Sequence, residues 1–532
     1  MQIDIGIPTV PIDILDCRPP GVTLRQVQEQ YLRWVETNYD KFDVFVGVMP
    51  TATGKSIAFM TLSEWIIKEK QGSVAGIVPN KMLQDQYTKD FKDLIIVKGM
   101  SNYKCEEIEG SCERYKKFAG KCCGGADKCP YIATIAAAKN APLALFNYHI
   151  YTPLKIIKTH LIMDEGHNSL NYLYSLFAVN IWKCEDDYPD DLGVDPAKIA
   201  EWIATVWMTK AHFELTMLMS KSKDAPEAKK LEEQIQKMVD VVRGLKEYPS
   251  DFIIQLNADT YYKSKVYRDT QVKGTRQEFI YIKPKKIDKM GDKILWPKSV
   301  QKIFFLSATI SDIDMGVLGL ENNKNYRVGY FECESPIPPE NRPFVRWPVA
   351  NMSYAQRAEG IPKVAEAIKK LSEKHKDEKG LVHCTYETAK ALRNSLKGHR
   401  FLFHTDRDKA EVYQKFRDAK YPAILIASGM SEGIDLPDDA ARWQVITQVM
   451  HAYLGDAVNK WISQTDADRY KMMTIQVIEQ QSGRIVRHPL DKGVTYCLDS
   501  QFDRLYDETH TYRIAAGKKS MWHTWFIQGV RK

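Results

Sequence analysis

The stretch from Val44 to Ser56, VFVGVMPTATGKS, decides how the first half of the chain folds. It starts with an apolar run of strand length, Val44–Val48, and leads into the apolar helix start Ile57-Ala58-Phe59. A tight loop between a buried strand and a helix N-terminus points backbone N–H groups at one spot, where phosphate can bind. In such a loop the lysine reaches the β- and γ-phosphates, and the serine hydroxyl ligates Mg²⁺. The predicted phosphate site consists of Thr51, Ala52, Thr53, Gly54, Lys55 and Ser56.

The loop departs from the strict phosphate-loop pattern, because Met49 stands where that pattern has its first glycine. The helicase variant Ala-x-x-Gly-x-Gly-Lys-Thr/Ser fits better, with Met49 and Ala52 replacing its alanine and first glycine. A positive φ at position 52 would strain an alanine. We therefore expect Ala52 to adopt a conformation that is permitted for alanine.

A second acidic motif supports the phosphate site. The apolar run Leu161–Met163 ends in Asp164-Glu165-Gly166-His167. Asp164 is suited to hold Mg²⁺ through its water shell, and Glu165 to take the proton from an attacking water. The alternative is an acidic helix N-terminus favoured by the helix dipole.

Short β-branched runs alternate with helical stretches along the chain, as in βαβ units. Near-continuous apolar strands predict parallel sheets covered by helices on both faces, and two sets of them predict two α/β lobes. The predicted strands are Val44–Val48, Val74–Val78, Leu143–Phe146, Leu161–Met163, Ile303–Leu306, Leu381–Cys384, Phe401–His404, Ile424–Ala427, Gln444–Ile446 and Val494–Leu498.

The proline-rich stretch Glu334–Pro343 is the predicted boundary between the lobes, since proline excludes helix and central strand there. It divides the chain into residues 1–335 and 336–532. Two inserts interrupt the first lobe: a cysteine-rich one over residues 99–140 and a helical one over residues 168–257. In the second, Asp195-Pro196 predicts a capped helix start, and Asp224 with Glu227 a capping box.

The segment Ala258–Val300 is basic, with 11 Lys or Arg against 5 Asp or Glu. Six aromatic residues interleave with these charges, a mixture that suits single-stranded nucleic acid. The alternative is a solvated strand pair with half-buried tyrosines. The aromatic residues are Tyr261, Tyr262, Tyr267, Phe279, Tyr281 and Trp296.

Five of the ten cysteines lie within 25 residues, which predicts a metal site. A disulfide framework would be unusual in a large chain with no visible secretory signal. The spacing is Cys105-x6-Cys112-x9-Cys122, then Cys123-x5-Cys129, unlike the paired C-x2-C of zinc ribbons. Four thiolates suit Zn²⁺ or an iron–sulfur cluster, and the spacing alone leaves both open.

The bulk composition is that of an ordinary globular protein, 44% hydrophobic and 27% charged, with a net charge of +7. No apolar run approaches the ~18–20 residues of a membrane span, and the N-terminus shows no signal peptide. The expected compartment is therefore the cytoplasm, without a membrane partner.

Several further motifs resemble those of superfamily 2 helicases and follow in that superfamily's order. Asp164-Glu165-Gly166-His167 resembles the Asp-Glu-Ala-His box, with Gly166 in place of alanine, a loss of one methyl group that we expect to be tolerated. The other matching elements are Arg25 and Gln28 (adenine-reading R-x-x-Q), Asn80–Gln86 (motif Ia), Ser307–Thr309 (motif III), Gly429–Asp435 (motif V) and Gln480–Arg487 (motif VI).

The cysteines between motifs Ia and II, and the helical insert between motifs II and III, resemble the XPD/DinG family of iron–sulfur helicases. The chain is short for that family, like its compact, phage-type members. The resemblance implies two RecA-like motor domains, a 4Fe–4S cluster and an arch-like helical insert. Its implied ligands are Cys105, Cys112, Cys123 and Cys129, with Cys122 as the alternative to Cys123 and zinc as the alternative metal.

The same resemblance implies an ATP-dependent DNA helicase that moves 5′→3′ on single-stranded DNA and binds duplex junctions, as a monomer with no protein partner indicated. Lys55, Ser56, Asp164 and Glu165 would act from one lobe, and His167 would couple the lobes. Gln480, Arg484 and Arg487 would act from the other lobe, with Gly433 and Asp435 also at the nucleotide. The alternatives are an RNA helicase, a translocase that does not unwind duplex, or a degenerate nucleic-acid-binding scaffold.

Overall fold

The computed structural model describes residues 11–105, 129–154, 156–221, 226–261, 275–321, 323–405, 407–430 and 434–531. Within them the chain forms two parallel sheets of seven strands and one small antiparallel sheet. The predicted α/β fold with two parallel-sheet lobes is confirmed. Each of the ten predicted strands is present, with ends that differ from the prediction by at most one residue.

The first parallel sheet belongs to the first lobe. Its strands are β1 Val44–Val48, β2 Val74–Val78, β3 Ile95–Ile96, β4 Leu143–Asn147, β5 His160–Asp164, β9 Lys302–Ser307 and β10 Val328–Glu332. They are arranged in the order β10-β1-β9-β5-β2-β4-β3. The helices around them are α1 Gln26–Asn38, α2 Lys55–Lys68, α3 Lys81–Asp90, α4 Pro130–Asn140, α5 Tyr148–Leu154, α6 Asn168–Phe177, α11 Gly291–Ile294 and α12 Asp312–Val317.

The central strands of this sheet are buried along their whole length, and their side chains alternate between two cores. Val44, Val46 and Val48 of β1 point into one apolar cluster, whereas Phe45 points into the other. Helices therefore cover both faces, as the continuous apolar runs predict.

The second lobe repeats this arrangement. Its strands are β11 Phe344–Ala350, β12 Gly380–Cys384, β13 Phe401–Phe403, β14 Ile424–Ser428, β15 Trp443–Ile446, β16 Val494–Asp499 and β17 Val530–Arg531. Their order is β13-β14-β12-β15-β16-β11-β17. The helices are α13 Arg357–Lys374, α14 Tyr386–Ser395, α15 Lys409–Asp418, α16 Ala457–Thr465, α17 Ala467–Ser482, α18 Gln501–Tyr506, α19 Tyr512–Ala515 and α20 Thr524–Ile527, with a π-helical turn at Asp507–Thr511.

The chain leaves the first sheet at the end of β10 and enters the second at the start of β11, so the proline-rich stretch lies between them. Every helix in the described part of the chain is too short or too polar to cross a bilayer.

The insert after α6 is not purely helical, which differs from the expectation for residues 168–257. Its helices are α7 Lys183–Asp186, α8 Pro196–Trp202, α9 Met208–Lys221 and α10 Pro226–Glu247, with a π-helical turn at Ile203–Trp207. Three antiparallel strands join them: β6 Val179–Trp182, β7 Phe252–Tyr261 and β8 Thr275–Pro284, in the order β6-β8-β7. The sheet extends beyond residue 257. Strands β7 and β8 have apolar runs only at 252–254 and 279–282, which are short and flanked by polar residues, so the sequence does not mark their full length.

The helix starts in the insert can be compared with their predictions in part. The Asp195 carboxylate accepts hydrogen bonds from the backbone N–H groups of Ala197 and Lys198, so the predicted cap of α8 is present. Asp224 lies outside the described residues, as does the side chain of Glu227, so their capping box stays a prediction.

Candidate active site

Three neighbouring strands of the first sheet end at one place. β1, β9 and β5 lie side by side, with Val48 next to Ser307 and Leu306 next to Asp164. The carboxyl edge of a parallel sheet is where α/β proteins bind ligands. The sheet order therefore brings the phosphate loop, the acidic motif and the Ser307 segment together.

The phosphate loop turns back on itself through two residues with positive φ. Gly54, the residue immediately before α2, has a φ of 77°. A Cβ at that position would lie 2.3 Å from Gln28 Nε2, so glycine is required. Ala52 has φ 70°, and the expectation of a permitted conformation for this alanine is wrong. The left-handed region costs about 1–2 kcal/mol for a residue with a Cβ, a strain that the surrounding contacts must offset.

Arg25 and Gln28 supply contacts that offset this strain. The Arg25 guanidinium donates a hydrogen bond to Ala52 O, and Gln28 Nε2 donates one to Gly54 O at 2.9 Å. The two side chains thus hold the loop from the direction of α1. Their predicted role in reading adenine stays a prediction.

The remaining loop residues differ in where their side chains lie. Lys55 Nζ lies 3.3 Å from Glu165 Oε1, and it donates to Met49 O at 3.4 Å. Thr53 is buried, and its hydroxyl donates to Pro50 O at 2.8 Å, so it stabilises the turn. Thr51 faces the second lobe, since a Cβ on Gly483 would lie 3.0 Å from its hydroxyl. Ser56, on the first turn of α2, lines the same cavity as Lys55.

Asp164 lies at the end of β5 with only 3% of its surface exposed. Its Oδ2 accepts a hydrogen bond from the Tyr87 hydroxyl at 2.9 Å, and its Oδ1 accepts one from the Glu165 N–H at 3.0 Å. Burial, together with the negative charge of Glu165, raises the pKa of Asp164 to about 6. A buried carboxylate of this kind gains from a cation placed beside it.

Glu165 differs from Asp164 in its exposure and in the direction of its pKa shift. Its φ is 49°, and its side chain is one-third exposed to the cleft. Burial alone would raise the pKa of this carboxyl, but Lys55, with further contributions from His167 and Arg484, outweighs burial, so the pKa is lowered. Glu165 is therefore an ionised carboxylate that can accept a proton at neutral pH.

His167 connects the acidic motif to both lobes. Gln480 Nε2 and Asn168 Nδ2 lie 2.9 and 3.0 Å from its Nε2, so two amide N–H groups face that nitrogen and it accepts. The ring proton is thereby assigned to Nδ1, which donates to Ser307 Oγ at 2.8 Å. Nδ1 also lies 3.6 Å from Glu165 Oε2.

The second lobe contributes α17 and the segment after it. Gln480 also lies 3.4 Å from Thr309 Oγ1 of the first lobe. Arg487 forms an ion pair with Asp435, and both Arg484 and Arg487 donate to Ile434 O, at 3.4 and 3.3 Å. The two arginines are therefore held side by side. Gly433 lies outside the described residues.

These groups line one cleft of about 620 Å³ between the lobes. Its walls combine the phosphate loop and acidic motif of the first lobe with the cationic side chains of the second. A site divided in this way is complete only when the lobes are together. Its predicted residues are Arg25, Thr51, Ala52, Thr53, Gly54, Lys55, Ser56, Asp164, Glu165, His167, Asp435, Gln480, Arg484 and Arg487.

Comparisons with known proteins agree with this geometry. Residues 368–511 match the family model of the helicase C-terminal domain, and residues 21–183 match that of the type III restriction enzyme res subunit. A structure of XPD helicase aligns over 94% of this chain and 100% of its own, at 15% identity and a TM-score of 0.58. The apo form of XPD aligns over 91% and 97%, at 14% identity and a TM-score of 0.56.

The chain has the XPD-type fold, and its second lobe contains a helicase C-terminal domain. Xpd4 of S. tokodaii is a further similar structure, covering 93% of this chain and 98% of its own at 13% identity and a TM-score of 0.53. No curated protein sequence matches the chain. Together the family models and the fold indicate an ATP-dependent hydrolase, and the XPD/DinG resemblance drawn from the motifs is confirmed.

The predicted cysteine metal site is described at its two ends only. Cys105 and Cys129 are buried, whereas Cys112, Cys122 and Cys123 lie outside the described residues. Two residues before Cys105 is Tyr103, and two after Cys129 is Tyr131; their rings meet edge to face with centroids 5.3 Å apart. The fold therefore brings the first and last cysteines of the set towards each other.

Residues 258–261 and 275–284 of the basic, aromatic segment lie in the strand pair of β7 with β8. Phe279 and Trp296 are buried, and the Tyr281 hydroxyl donates to Asp456 Oδ2 at 2.9 Å. The rings of Phe279 and Trp296 are thus held in packing, and the Tyr281 hydroxyl is held by a hydrogen bond. Tyr262 and Tyr267 lie outside the described residues, as does the side chain of Tyr261.

Sequence reasoning missed several residues of the site. Tyr87 holds Asp164, and Gln476 donates to Thr309 O at 2.9 Å. Trp525 donates from its indole to Ala308 O at 3.1 Å. The position of Gln476 four residues before Gln480 is a signal for its shared helix face. Nothing local to Tyr87 or Trp525 indicates these contacts, because they depend on how distant elements pack.

A group of potential metal ligands also lies in the second lobe: Asp438, His488 and Asp491. Arg442 Nη1 lies 2.9 Å from Asp491 Oδ1, and His488 Nε2 lies 2.8 Å from Asp438 Oδ1. The charges of this cluster are already matched by side chains of the protein. We therefore treat it as a structural ion-pair network.

Proposed function

We propose that this protein is a DNA helicase that translocates 5′→3′ along single-stranded DNA and couples ATP hydrolysis to unwinding of duplex. The observation that carries the proposal is the divided cleft, in which Lys55 and Glu165 of one lobe face Gln480, Arg484 and Arg487 of the other. DNA as substrate and the direction of movement rest on the resemblance to the XPD/DinG family. The protein is proposed to act as a monomer at duplex junctions.

The first lobe would bind the phosphates of ATP. Backbone N–H groups of the phosphate loop and the N-terminus of α2 face the anion, and Lys55 neutralises its outer phosphates. Ser56 and, through water, Asp164 would hold Mg²⁺, which neutralises charge on the β- and γ-phosphates when bound. Asp164 is 3% exposed and has a raised pKa, so its ionised form would be stabilised by a cation bound beside it.

Hydrolysis needs a base and a charge clamp. The ionised Glu165 accepts the proton from the attacking water, and its ion pair with Lys55 keeps it deprotonated and oriented. Arg484 and Arg487 stabilise the negative charge that develops at the γ-phosphate. Gln480 orients water or phosphate from the second lobe.

Division of the site couples chemistry to movement. The arginines reach the phosphate only when the lobes close, and loss of the γ-phosphate removes their partner. His167 senses this change, since its two ring nitrogens contact Gln480 and Ser307 of opposite lobes. Alternation between the two states changes the grip of each lobe on the strand.

The cysteine-rich insert is proposed to hold a 4Fe–4S cluster through Cys105, Cys112, Cys123 and Cys129, with Cys122 as the alternative to Cys123. Burial of the two described thiols and the Tyr103–Tyr131 contact fit a closed metal-binding loop. A cluster would tie the loop together from within and so maintain a small rigid domain beside the DNA entry. Zinc in the same four-thiolate site is the alternative.

The test of this function uses anaerobically purified protein. ATP hydrolysis is measured with and without single-stranded DNA, and iron content and visible absorbance are recorded on the same sample. Brown, iron-loaded protein whose ATPase activity rises several-fold with DNA supports the proposal. Colourless, zinc-containing protein without a DNA response contradicts it.

Strand displacement separates the remaining alternatives. Matched DNA and RNA duplexes with 5′ or 3′ single-stranded tails are compared under the same conditions. Unwinding of DNA from a 5′ tail is expected. Unwinding of RNA alone would indicate an RNA helicase, and DNA-stimulated ATPase activity without displacement would indicate a translocase.

A further inference from the structure

Three consecutive backbone carbonyls of the first lobe each accept a hydrogen bond from a side chain of the second lobe. Trp525 Nε1 donates to Ala308 O at 3.1 Å, and Gln476 Nε2 donates to Thr309 O at 2.9 Å. His523 Nε2 lies 3.0 Å from Ile310 O. The donors come from two places, α17 and the C-terminal segment around α20. The segment 308–310 is thus held along its length by the partner lobe.

The environment of His523 assigns it a positive charge. Its Nδ1 lies 2.7 Å from Glu479 Oε2, while its Nε2 faces a carbonyl oxygen that can only accept. Both ring nitrogens must therefore carry hydrogen if both contacts are made. The backbone N–H of His523 also donates to Glu479 Oε1 at 2.9 Å. The imidazolium and the carboxylate are both buried, so their contacts are shielded from water.

The other charged groups that face this pair are acidic. Asp314 on α12 lies near the ring and is buried. Glu332 at the end of β10 accepts from the Thr524 N–H at 2.7 Å. Burial alone would lower the pKa of His523, but Glu479, the Ile310 carbonyl and Glu332 outweigh burial and raise the pKa to about 9.

The held segment continues into the nucleotide site. Ser307, immediately before it, accepts from His167, which in turn contacts Gln480 and lies 3.6 Å from Glu165 Oε2. Glu479 and Gln480 lie three and four residues after Gln476 on α17, so each is a neighbour of Gln476 on the helix surface. The stretch 307–310 is therefore contacted by His167 of the catalytic cleft at Ser307, and by the second lobe at the three carbonyls that follow.

We infer that His523 and Trp525 are positioning residues that lock the Ser307–Ile310 segment to the second lobe and so transmit nucleic-acid binding to ATP hydrolysis. The inference rests on the proposed function, because it requires an ATPase that nucleic acid stimulates. Trp525 also lines the cleft, whereas His523 is not among the residues that line it. Each acts through the carbonyl that it holds.

The test compares His523→Gln and Trp525→Phe with Trp522→Phe. The matched control removes a buried indole donor whose partner, Thr509 Oγ1 at 2.7 Å, lies within the second lobe. Rates of ATP hydrolysis are measured with and without oligo-dT, together with the KM for ATP and the melting temperature. His523→Gln should lower the ratio of stimulated to basal kcat roughly tenfold, and Trp525→Phe roughly threefold, as expected for a lost charged and a lost neutral hydrogen bond.

The KM for ATP should change little in His523→Gln, and Trp522→Phe should keep the wild-type ratio even if its melting temperature falls. In the wild type the ratio should decline as pH rises past about 9, because the imidazolium then loses a proton and one of its contacts. His523→Gln should lack this decline. A wild-type enzyme without stimulation overturns the proposed function and the inference with it. A stimulated wild type with an unchanged ratio in His523→Gln overturns the inference alone.

Discussion

His167 of the first lobe and Gln480 of the second meet across the cleft, with 2.9 Å between His167 Nε2 and Gln480 Nε2. This contact joins the acidic motif to the helix that precedes the two arginines. It exists only while the lobes are together, so it reports on the closed arrangement.

Gln480→Ala should lower kcat for DNA-stimulated ATP hydrolysis about fivefold and leave the KM for ATP within about threefold, since a lost hydrogen bond of this type is worth about 1 kcal/mol. Steady-state kinetics at saturating DNA measure both constants. Gln414→Ala, which removes an exposed amide on α15, is the control. An increase in KM without a change in kcat would place Gln480 in nucleotide binding instead.

Lys55→Ala should abolish ATP hydrolysis, because it removes the charge at the outer phosphates and the partner of Glu165. Glu165→Gln should still bind ATP but fail to turn it over, since an amide cannot accept the proton. Equilibrium binding of a fluorescent ATP analogue and phosphate release separate the two effects. A Lys55→Ala protein with wild-type hydrolysis would contradict the site.

Asp456 of the second lobe contacts two residues of β8 in the insert. Its Oδ2 lies 2.8 Å from Lys283 Nζ and 2.9 Å from the Tyr281 hydroxyl oxygen. Burial raises the pKa of Asp456, but the hydrogen bonds from Lys283, the Asn459 N–H and Tyr281 more than offset it, so the pKa is lowered. A carboxyl whose pKa is lowered in the folded state stabilises the protein at pH values above its pKa in the unfolded chain, ~3.9. This stabilisation is lost as the pH falls through the folded-state pKa.

Asp456→Asn should therefore reduce the free energy of unfolding by about 1 kcal/mol at pH 6, and the difference should disappear towards pH 3. Asparagine retains the helix cap of α16, so the change isolates the charge. Urea unfolding across this pH range is the measurement. Asp468→Asn, which breaks an ion pair with Arg513 within the second lobe, is the matched control. A difference that is independent of pH would argue against a charged link.

Cys105→Ser and Cys129→Ser should each lose iron and the visible absorbance of the cluster, because each removes one of four thiolates. Cys184→Ser is the control, since Cys184 is exposed on α7. Of the adjacent pair, Cys123→Ser should lose iron and Cys122→Ser retain it. Iron and zinc analysis of anaerobic samples measures the outcome, and zinc in place of iron would refute the cluster.

The strands were predictable because buried parallel strands are continuous apolar runs, and the phosphate loop because Gly54-Lys55-Ser56 stands between such a strand and an apolar helix start. β10 escaped prediction for the opposite reason: it is a partly exposed edge strand that contains Gly329, Tyr330 and Glu332. The contacts of Trp525 and His523 could not be predicted, since they join residues more than 200 positions apart.

Gly166 shows how packing changes the meaning of a substitution. The sequence suggests only a lost methyl group relative to the helicase box. In the fold, a Cβ at this position would lie 2.8 Å from Phe305 Cδ1 and 3.2 Å from Met163 O. Glycine here accommodates the Phe305 ring, so the two positions must change together.

The position of β1 has a consequence for biosynthesis. The strand that carries the phosphate loop pairs with β9 on one side and β10 on the other. Both partners leave the ribosome roughly 250 residues or more after β1, a delay on the order of 10–50 s at ~5–20 residues per second. During that interval the emerging chain carries a fully apolar strand with both edges open, the kind of segment that chaperones bind. The strand that carries the phosphate loop is thus synthesised early and paired with its neighbours late.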